Sequence, residues 1–343
     1  MMMLTIVATG RRFFPLAQAA RASKLLLLFA ALAGSLLWQA PGARAEYPDR
    51  PLKIIVPFAA GGSTDVMARK IADLLSKKWG GKPVFVESRP GGGTAIGGIA
   101  LANAAPDGYT ILIGPDTTFA INQLLTSRPQ YDPLKDFAPI TGLVAFPMAI
   151  VVDAKLPVKT LKEFVAYAKT HPTNYGSFGV ASAPHLTMEM FKQAAGVDIV
   201  HVPYKGVAPV LLALQAGEIQ ATAISPAAAA PYVKQGIMRI LAVDGKERWP
   251  SAPDVPTYAE AGFPTVRAPG WWAIGAPAKT PAPIINKLNH DLREIIDAPD
   301  FKEYLVTMGY KPASGTPEQL EALMQDTAAL WAPVIKRLHI DLK

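Results

Sequence analysis

Short apolar runs alternate with amphipathic segments from residue 52 onward, and this alternation constrains the fold more than any other feature of the sequence. Residues 52–58, 83–88 and 109–113 are typical of buried strands, and helical patterns lie between them. A strand–helix–strand–helix–strand order predicts a parallel sheet with right-handed crossovers.

The same pattern restarts near residue 149 and continues to residue 243. It predicts strands at residues 149–152, 174–178, 197–202, 219–224 and 238–243, with helices at 161–169, 183–195, 208–216 and 227–235. Thr160 and Glu163 have the spacing of a capping box at the start of the first of these helices. We therefore predict an α/β fold with two lobes, each a sheet flanked by helices.

The C-terminal part predicts one strand at residues 271–275 and then helices at 281–296, 301–308 and from Thr316. Thr316 and Gln319 have the spacing of a capping box at the start of the last helix. We expect this tail to pack back onto the first lobe. Lobe 1 would then comprise residues 46–146 and 271–343, and lobe 2 residues 147–270. Two chain crossings, near residues 141–152 and 262–274, would give a hinge and a cleft.

The first 45 residues have the features of a secretory signal peptide. Basic residues precede an apolar run at 25–38, and Ala43-x-Ala45 has the small-x-small form of a cleavage site. The run is shorter than the roughly 20 apolar residues that span a bilayer, which argues against the alternative of a membrane anchor. We predict cleavage after Ala45 and export to the periplasm. The Arg11-Arg12 pair leaves the twin-arginine route open, but it lies far ahead of the apolar run.

Composition narrows the classes of function. The chain has no cysteine, which excludes disulfides, a thiol nucleophile and a thiolate zinc site. Five of the 34 Lys and Arg residues and none of the 27 Asp and Glu residues lie in the first 45, so the formal net charge falls from +7 to +2 after cleavage. No basic run with interleaved aromatic residues follows, so a nucleic-acid partner has little support.

The loop after the first strand, residues 59–65, is a candidate anion site. Ligands of open α/β sheets bind beyond the carboxyl ends of strands. Gly61 and Gly62 let the backbone approach a ligand, Ser63 and Thr64 add hydroxyl donors, and free N–H groups at the next helix start favour an anion. In the alternative interpretation the glycines only form a turn, and Ser63, Thr64 or Asp65 caps the helix.

The loop at residues 177–185 has the same position in the second unit, after a strand and before a helix. Two such loops facing each other could bind both ends of a dicarboxylate, or one carboxylate from both sides. His185 could contact the ligand, or the backbone could satisfy its ring. No second histidine at i+4 and no acid at ligand spacing accompany it, so we predict no metal site.

Searches for catalytic motifs give no candidate set. There is no Gly-x-Ser-x-Gly elbow and no Gly-x-x-x-x-Gly-Lys loop, and the glycines at 91–98 lack the dinucleotide spacing. Lys205 could form a Schiff base, but we expect it instead to project its charge toward an anion or toward solvent. A periplasmic hydrolase or lyase acting through Ser182 or His185 remains an alternative function, although no orienting acid can be placed beside them.

A series of motifs resembles the tripartite tricarboxylate transporter substrate-binding proteins, also called the Bug family. The motifs are Tyr47-Pro-x-x-Pro51, Ile55-Val-Pro-Phe-Ala-x-Gly-Gly62 with Thr64-Asp65, Glu87-x-Arg-Pro-Gly91, Ala105-Pro-Asp-Gly-Tyr-Thr110, Tyr131-Asp-Pro133 with Lys135-Asp-Phe137, His185-Leu186, Gly196-Val-Asp-Ile-Val-His-Val-Pro-Tyr-Lys-Gly206, Pro253-Asp-Val-Pro-Thr257 and Ala276-Pro277. Each motif is modest alone, but their order and spacing together are highly specific.

This resemblance implies a two-lobed "Venus flytrap" receptor in the periplasm that performs no chemistry and needs no cofactor. It implies a small organic carboxylate as ligand and an inner-membrane permease as partner, or a sensor in a signalling role; we also expect a monomer. The residues expected to border the ligand are Phe58, Ala60, Gly61, Gly62, Ser63, Thr64, Asp116, Thr117, Thr118, Ser177, Phe178, Ser182, His185, Tyr204, Lys205, Ile224 and Ser225.

Departures from the family pattern bear on the ligand. Val180-Ala181-Ser182 stands where the family often has Asn-Gly-Thr, and Phe119 and Phe178 stand where histidine and alanine are common. Ala223-Ile224 replaces a pair that often contains aspartate, which weakens the case for an amino-acid ligand. Because all these changes add apolar surface, we hypothesise a carboxylate with an apolar or aromatic body. In the alternative interpretation these side chains pack between the lobes.

Overall fold

The computed structural model describes residues 47–126, 129–249 and 252–338, and the predicted signal peptide lies outside them. The strands are β1 (Leu52–Val56), β2 (Val84–Ser88), β3 (Thr110–Pro115), β4 (Phe137–Pro147), β5 (Ala149–Asp153), β6 (Asn174–Ser177), β7 (Val200–Pro203), β8 (Ala221–Ile224), β9 (Met238–Val243), β10 (Pro269–Pro277) and β11 (Lys311–Pro312). The α-helices are α1 (Ser63–Lys78), α2 (Ala95–Ala102), α3 (Pro133–Asp136), α4 (Leu161–Ala168), α5 (Ala183–Ala195), α6 (Val207–Ala216), α7 (Pro226–Lys234), α8 (Ala282–Asp297), α9 (Pro299–Thr307) and α10 (Pro317–Arg337).

The first sheet has six strands in the order β11-β4-β10-β3-β1-β2. Strand β1 pairs in parallel with β2 and β3, as the sequence pattern predicts. Strand β10, which lies outside that strand–helix unit, pairs antiparallel with both β3 and β4, so the complete six-stranded sheet is mixed.

The second sheet has five strands in the order β7-β6-β8-β5-β9. Strand β6 is parallel to β7 and β8, whereas β5 runs antiparallel to β8 and β9. The carboxyl ends of β6 and β8 therefore lie side by side, and β1 and β3 are adjacent in the same way in the first sheet. We call the first sheet with its helices lobe 1 and the second sheet with its helices lobe 2.

The chain passes between the sheets at two places. Strand β4 ends at Pro147 and β5 begins at Ala149, and the return lies between β9 and β10. Helices α8 and α9 bury Leu288, Leu292 and Leu305 in the core beneath the first sheet, which puts this part of the tail on lobe 1. The residue boundaries assigned to the lobes stay a prediction.

Local sequence signals explain several element starts. At α10, the Gln319 N–H donates to Thr316 Oγ1 at 3.3 Å and the Thr316 N–H donates to Gln319 Oε1 at 2.9 Å, which confirms the capping box. At α4 the Glu163 N–H donates to Thr160 Oγ1, but the Glu163 carboxylate accepts from the Lys159 N–H instead. Among the described residues, no helix combines the length and apolar character needed to span a bilayer.

Candidate ligand-binding cleft

The loop after β1 ends in an uncapped helix start. Helix α1 begins at Ser63 and its N-cap is Gly62, which offers no side chain to bond the first N–H groups. This arrangement disagrees with the alternative in which Ser63, Thr64 or Asp65 acts as the N-cap. The first N–H groups of a helix have no intrahelical acceptor and carry the positive end of its dipole. The exposed segment 59–63 therefore presents donors suited to an anion.

Asp65 fixes the shape of this loop. Its carboxylate accepts the Gly61 N–H at 3.0 Å and two bonds from Arg69 at 2.9 and 3.1 Å. Burial raises the pKa of the Asp65 carboxyl, but Arg69 and the Gly61 N–H lower it by more, so the group ionises below its usual range. Asp65 is thus a structural anion, and the Gly61 N–H is already engaged.

Asp116 follows β3 and is buried. One of its carboxyl oxygens accepts the Thr117 N–H at 2.7 Å and lies 3.3 Å from Thr117 Oγ1. The other oxygen is buried without a hydrogen-bond partner in the part of the chain that the structure describes. Burial raises the pKa of Asp116 to about 7, and the bonds from Thr117 offset only part of this effect.

A buried polar network joins the turn at Thr94 to the helical segment after β3. Thr118 Oγ1 donates to Thr94 Oγ1 at 2.8 Å, and Asn122 Nδ2 lies 3.2 Å from the same oxygen. Tyr131 closes the network by donating to the Thr118 carbonyl at 2.9 Å. Thr94 has φ +80°, which is rare for a threonine and indicates that its neighbours hold it there.

In lobe 2 the loop at residues 177–185 is held by internal hydrogen bonds. The Gly179 carbonyl accepts from Ser177 Oγ at 2.8 Å and from Ser182 Oγ at 2.7 Å. His201 Nε2 lies 2.6 Å from Ser177 Oγ. Because the Ser177 proton points to the carbonyl, this imidazole nitrogen is the donor. The hydroxyls of Ser177 and Ser182 therefore shape the loop, and the Gly179 and Ser182 N–H groups also bond within it.

His185 accepts a hydrogen bond from the Ala181 N–H at Nδ1, at 2.9 Å. Its ring stacks on His201 with centroids 4.1 Å apart. Burial, the adjacent His201 and Lys192 lower the pKa of His185 to about 3. Burial likewise lowers the pKa of His201 to about 4. Both rings are neutral near pH 7, and the backbone satisfies His185, as the alternative interpretation holds.

Contacts between the lobes bring these strand ends together. Ala227, in the first turn of α7, packs against the core of lobe 1. A Cβ built on Gly93 would lie 3.8 Å from the Val180 carbonyl oxygen. Since Gly93 follows β2 in lobe 1 while Val180 and Ala227 follow β6 and β8 in lobe 2, carboxyl ends of strands from both sheets lie near each other.

An apolar cluster also joins the lobes. Ala181 and Leu186 of lobe 2 pack with Ile121 and Trp331 of lobe 1. Nearby, Arg337 donates to Gln193 at 2.6 Å. The segment that carries the second predicted loop is therefore partly buried by lobe 1.

The remaining predicted site residues differ in exposure. Phe58, Phe178 and Tyr204 are half-buried, whereas Ala60 and Lys205 are exposed. Ile224 is fully buried in the core of lobe 2. Phe119 packs in the core of lobe 1 against Phe137 and Trp271. For Phe119 and Ile224, the structure favours packing over ligand contact.

One residue with site contacts, His201, was missing from the sequence prediction. It lies inside the longest matching motif, so its position there could have drawn attention to it.

Two surface features lie away from the cleft. Depressions lined by residues such as Arg293 and Asp297, or by Arg89 and Ile96, include none of the predicted site residues. His290, Asp291 and Glu294 approach one another, but Lys78 and Lys287 pair with these acids. We therefore place the candidate ligand site at the strand-end loops, residues 59–65 and 177–185.

Comparison with known proteins adds the family context. A family model described as the tripartite tricarboxylate transporter family receptor matches residues 67–340. The protein BugT of Bordetella pertussis is 34% identical over 307 residues, covering 89% of this chain and 94% of BugT. A second protein of the same species, named only as a UPF0065 protein, is 35% identical over 311 residues, covering 89% of this chain and 95% of the relative.

Solved structures agree in fold. Rpa4515 of R. palustris, solved with adipate, has a TM-score of 0.81 at 34% identity and covers 86% of this chain and 99% of its own. MatC from Rhodopseudomonas palustris, solved with bound malate, has a TM-score of 0.79 at 31% identity and covers 84% of this chain and 100% of its own. The periplasmic binding protein BugD has a TM-score of 0.80 at 31% identity and covers 87% of this chain and 100% of its own.

Proposed function

The chain belongs to the tripartite tricarboxylate transporter receptor family, and on this premise we propose that it binds a small organic carboxylate between its lobes and delivers it to an inner-membrane permease. The family consists of solute-binding receptors, which are not enzymes. The proposed location is the periplasm, after removal of residues 1–45.

The observation that carries the proposal is the facing of two strand-end helix starts. The start of α1 lies in lobe 1 and the starts of α5 and α7 lie in lobe 2. Ala227 at the start of α7 packs against the lobe 1 core, and Leu186 of α5 packs with Trp331 of lobe 1. Helix starts present N–H donors and the positive ends of dipoles. A carboxylate between the lobes would satisfy donors from both sides at once.

The proposed mechanism is closure of the lobes around the ligand. A ligand that bonds both lobes binds the closed form more tightly and shifts the population toward it. Two or three hydrogen bonds to a charged group contribute about 1.5–3 kcal/mol each. After the cost of losing translational and conformational freedom, this supports affinities in the micromolar range.

The class of ligand is the finer part of the proposal. Two related structures were solved with the aliphatic dicarboxylates adipate and malate. In this chain, Phe58 and Phe178 remain partly exposed, one on each lobe, and could contact an apolar or aromatic body. Phe119 and Ile224 are fully buried, so these two residues do not support a ligand with an aromatic body.

A thermal-shift screen of the chain from Glu46 onward tests the function and the ligand class together. The probes are adipate, malate, benzoate and phthalate, with adipamide as the uncharged control for adipate. We expect carboxylates to raise the melting temperature and adipamide to leave it unchanged. Stabilisation by adipate or malate alone would refute an aromatic body, and no shift with any acid, confirmed by calorimetry, would refute carboxylate binding.

A further inference from the structure

The last helix, α10, buries one face that packs in two different apolar clusters. In its first half, Met324 lies in the lobe 1 cluster that contains Trp271, and Thr327 Oγ1 accepts a hydrogen bond from Trp271 Nε1 at 3.0 Å. In its second half, Trp331 and Ile335 belong to the cluster that joins the lobes. The sequence pattern predicts only that this tail packs on lobe 1, so the second half of the helix has a contact that the pattern does not explain.

The second half of α10 packs along α5 of lobe 2. Leu186 of α5 belongs to the same cluster as Trp331, and Met190, one turn further along α5, packs against this cluster. After one more turn, Gln193 Oε1 accepts a hydrogen bond from Arg337 Nη1 at 2.6 Å. These three residues of α5 have helical spacing and therefore lie on one face, which α10 covers.

The same contact reaches the loop of lobe 2 at residues 177–185. Ala181 of this loop is fully buried in the cluster with Trp331. It has φ +61°, a backbone conformation that is rare for an alanine and persists where the surroundings hold it. Its N–H donates to His185 Nδ1 at 2.9 Å. The strained residue of the loop is therefore covered from lobe 1, while its neighbour Val180 is 38% exposed.

Separating α10 from α5 would expose apolar side chains to water. Trp331, Leu186 and Ala181 are fully buried, and the unfavourable free energy of exposing such surface grows with its area. Trp331 Nε1 has no hydrogen-bond partner in the part of the chain that the structure describes, so the indole contributes to this contact through its apolar surface. A rotation of the lobes about this contact keeps the surface buried.

We propose that the second half of α10, residues 331–337, is a strap that stays packed on α5 while the lobes open and close, and that it positions the loop at residues 177–185 for ligand capture. Lobe 2 then turns about this strap as well as about the two chain crossings. The benefit to capture rests on the proposed function, but the persistence of the contact and its effect on the loop can be measured without any ligand.

A distance measurement tests whether the strap stays packed. Because the chain has no cysteine, spin labels can be attached at Ala194 on α5 and Lys336 on α10, which are both exposed. We expect pulsed electron resonance to give a single narrow distance distribution in the unliganded protein. A second population at longer distance would overturn the proposal.

Hydrogen exchange tests the effect of the strap on the loop. Trp331→Ala should speed exchange of the backbone N–H groups at residues 178–186 by about tenfold or more, because the loop loses the surface that holds it. Trp331→Phe removes the indole N–H and keeps an apolar ring, so its exchange should stay closer to that of the parent. If Trp331→Ala does not fold, Ile335→Ala tests the same cluster with a smaller change. Unchanged exchange in the folded alanine variant would overturn the positioning role.

Met324→Ala is the matched control. Met324 is buried on the same helix, but in the lobe 1 cluster. Its replacement should leave the exchange of residues 178–186 unchanged. Equal acceleration in Met324→Ala and Trp331→Ala would mean that any loosening of α10 frees the loop, and this would contradict a specific role for the strap.

Binding connects the strap to the proposed function. With adipate and malate as probes, saturating acid should leave the distance between Ala194 and Lys336 unchanged. Trp331→Ala should weaken affinity about three- to tenfold, as expected for a residue that acts through the loop. A distance that shifts on binding, or unchanged affinity in the variant, would contradict the proposal. If neither acid binds the parent protein, the proposed function loses support, while the ligand-free distances and exchange rates still decide the role of the strap.

Discussion

Gly62 adopts φ −74° and ψ 167°, an extended conformation open to any residue, so its role is not conformational freedom. A Cβ there would meet only the Ala59 carbonyl oxygen, at 3.6 Å, which is an ordinary contact. The absence of a side chain at this N-cap instead leaves the first N–H groups of α1 uncovered. This position can therefore be substituted without damage to the fold.

Gly62→Asp should abolish carboxylate binding and leave the protein folded. Aspartate is a favourable N-cap residue, but it would place a negative charge where the ligand carboxylate is expected. Gly62→Asn has similar size and capping ability without the charge, so its loss of affinity should be smaller. Titration calorimetry with the best acid of the screen measures both, and equal affinity of Gly62→Asp and the parent would exclude this loop from the site.

Asp116→Asn should change how stability depends on pH. Burial raises the pKa of Asp116 from 3.8 to about 7. Between these values the folded protein holds a proton on Asp116 that the unfolded chain has lost. The free energy of unfolding is therefore highest, as far as Asp116 affects it, below pH 3.8, and it falls as pH rises to about 7. At pH 8 the variant should therefore be more stable than the parent by about 1–4 kcal/mol.

Urea unfolding of the two proteins from pH 4 to pH 8 measures this difference. The gap between their free energies of unfolding should widen as pH rises. A gap that stays constant across this range would show that Asp116 is ionised normally in the folded protein.

At the scale of elements, the loop at residues 177–185 depends on two neutral imidazoles. His201 donates to Ser177, and His185 accepts from Ala181. The charged groups near the histidine pair are Glu189, which raises the pKa of His201, and Lys192, which lowers both pKa values. Protonation would remove the acceptor at His185 and set two like charges 4.1 Å apart.

The loop should therefore be stable at neutral pH and weaken in acid. Burial lowers the pKa of His201 from 6.5 to about 4. Below pH 6.5 the unfolded chain binds a proton that the folded protein does not, so stability is complete above this pH and falls as pH drops toward 4. Between pH 7 and pH 4.5, the free energy of unfolding should fall by about 1–3 kcal/mol less in His201→Gln than in the parent. Unfolding curves at pH 7 and pH 4.5 test it, and identical losses in both proteins would contradict it.

Elements with strong local signals were predicted well from the sequence. Helix α5 and strand β9 begin and end where the pattern places them, and the capping box of α10 is present. Strand β4 was missed, because its eleven residues include two prolines and a glycine that weaken the apolar pattern. Its place is set by pairing with β10, which is far away in the sequence, and no local pattern can reveal this.

For the candidate site, the sequence could indicate the loops but not the side chains that face the cleft. The strand-end loops follow from a general rule for α/β sheets, and the structure brings their lobes together. Which side chains face the cleft did not follow, since Ile224 and Phe119 point into cores.

At the scale of the whole molecule, the described residues from 47 to 338 belong to one compact unit. The apolar cluster around Trp331 contributes to this, because Leu186 and Ala181 of lobe 2 are buried in it. Buried apolar surface shared by two lobes couples their stabilities. We therefore expect the lobes to unfold together.

Leu186→Ala should destabilise the whole molecule by about 2–5 kcal/mol, because it removes a fully buried side chain and leaves a cavity. Leu212→Ala, at a leucine that is 64% exposed, is the control and should change stability little. Scanning calorimetry of the parent should show a single transition, lowered in Leu186→Ala. Two well-separated transitions in the parent would contradict coupling between the lobes.

The most direct measurement is a crystal structure of the protein with the acid that stabilises it most. The account predicts one carboxylate ligand between the lobes, with oxygens within hydrogen-bonding distance of N–H groups at the start of α1 and at the start of α5 or α7. A ligand bound to one lobe only, or on an outer surface away from both helix starts, would contradict it.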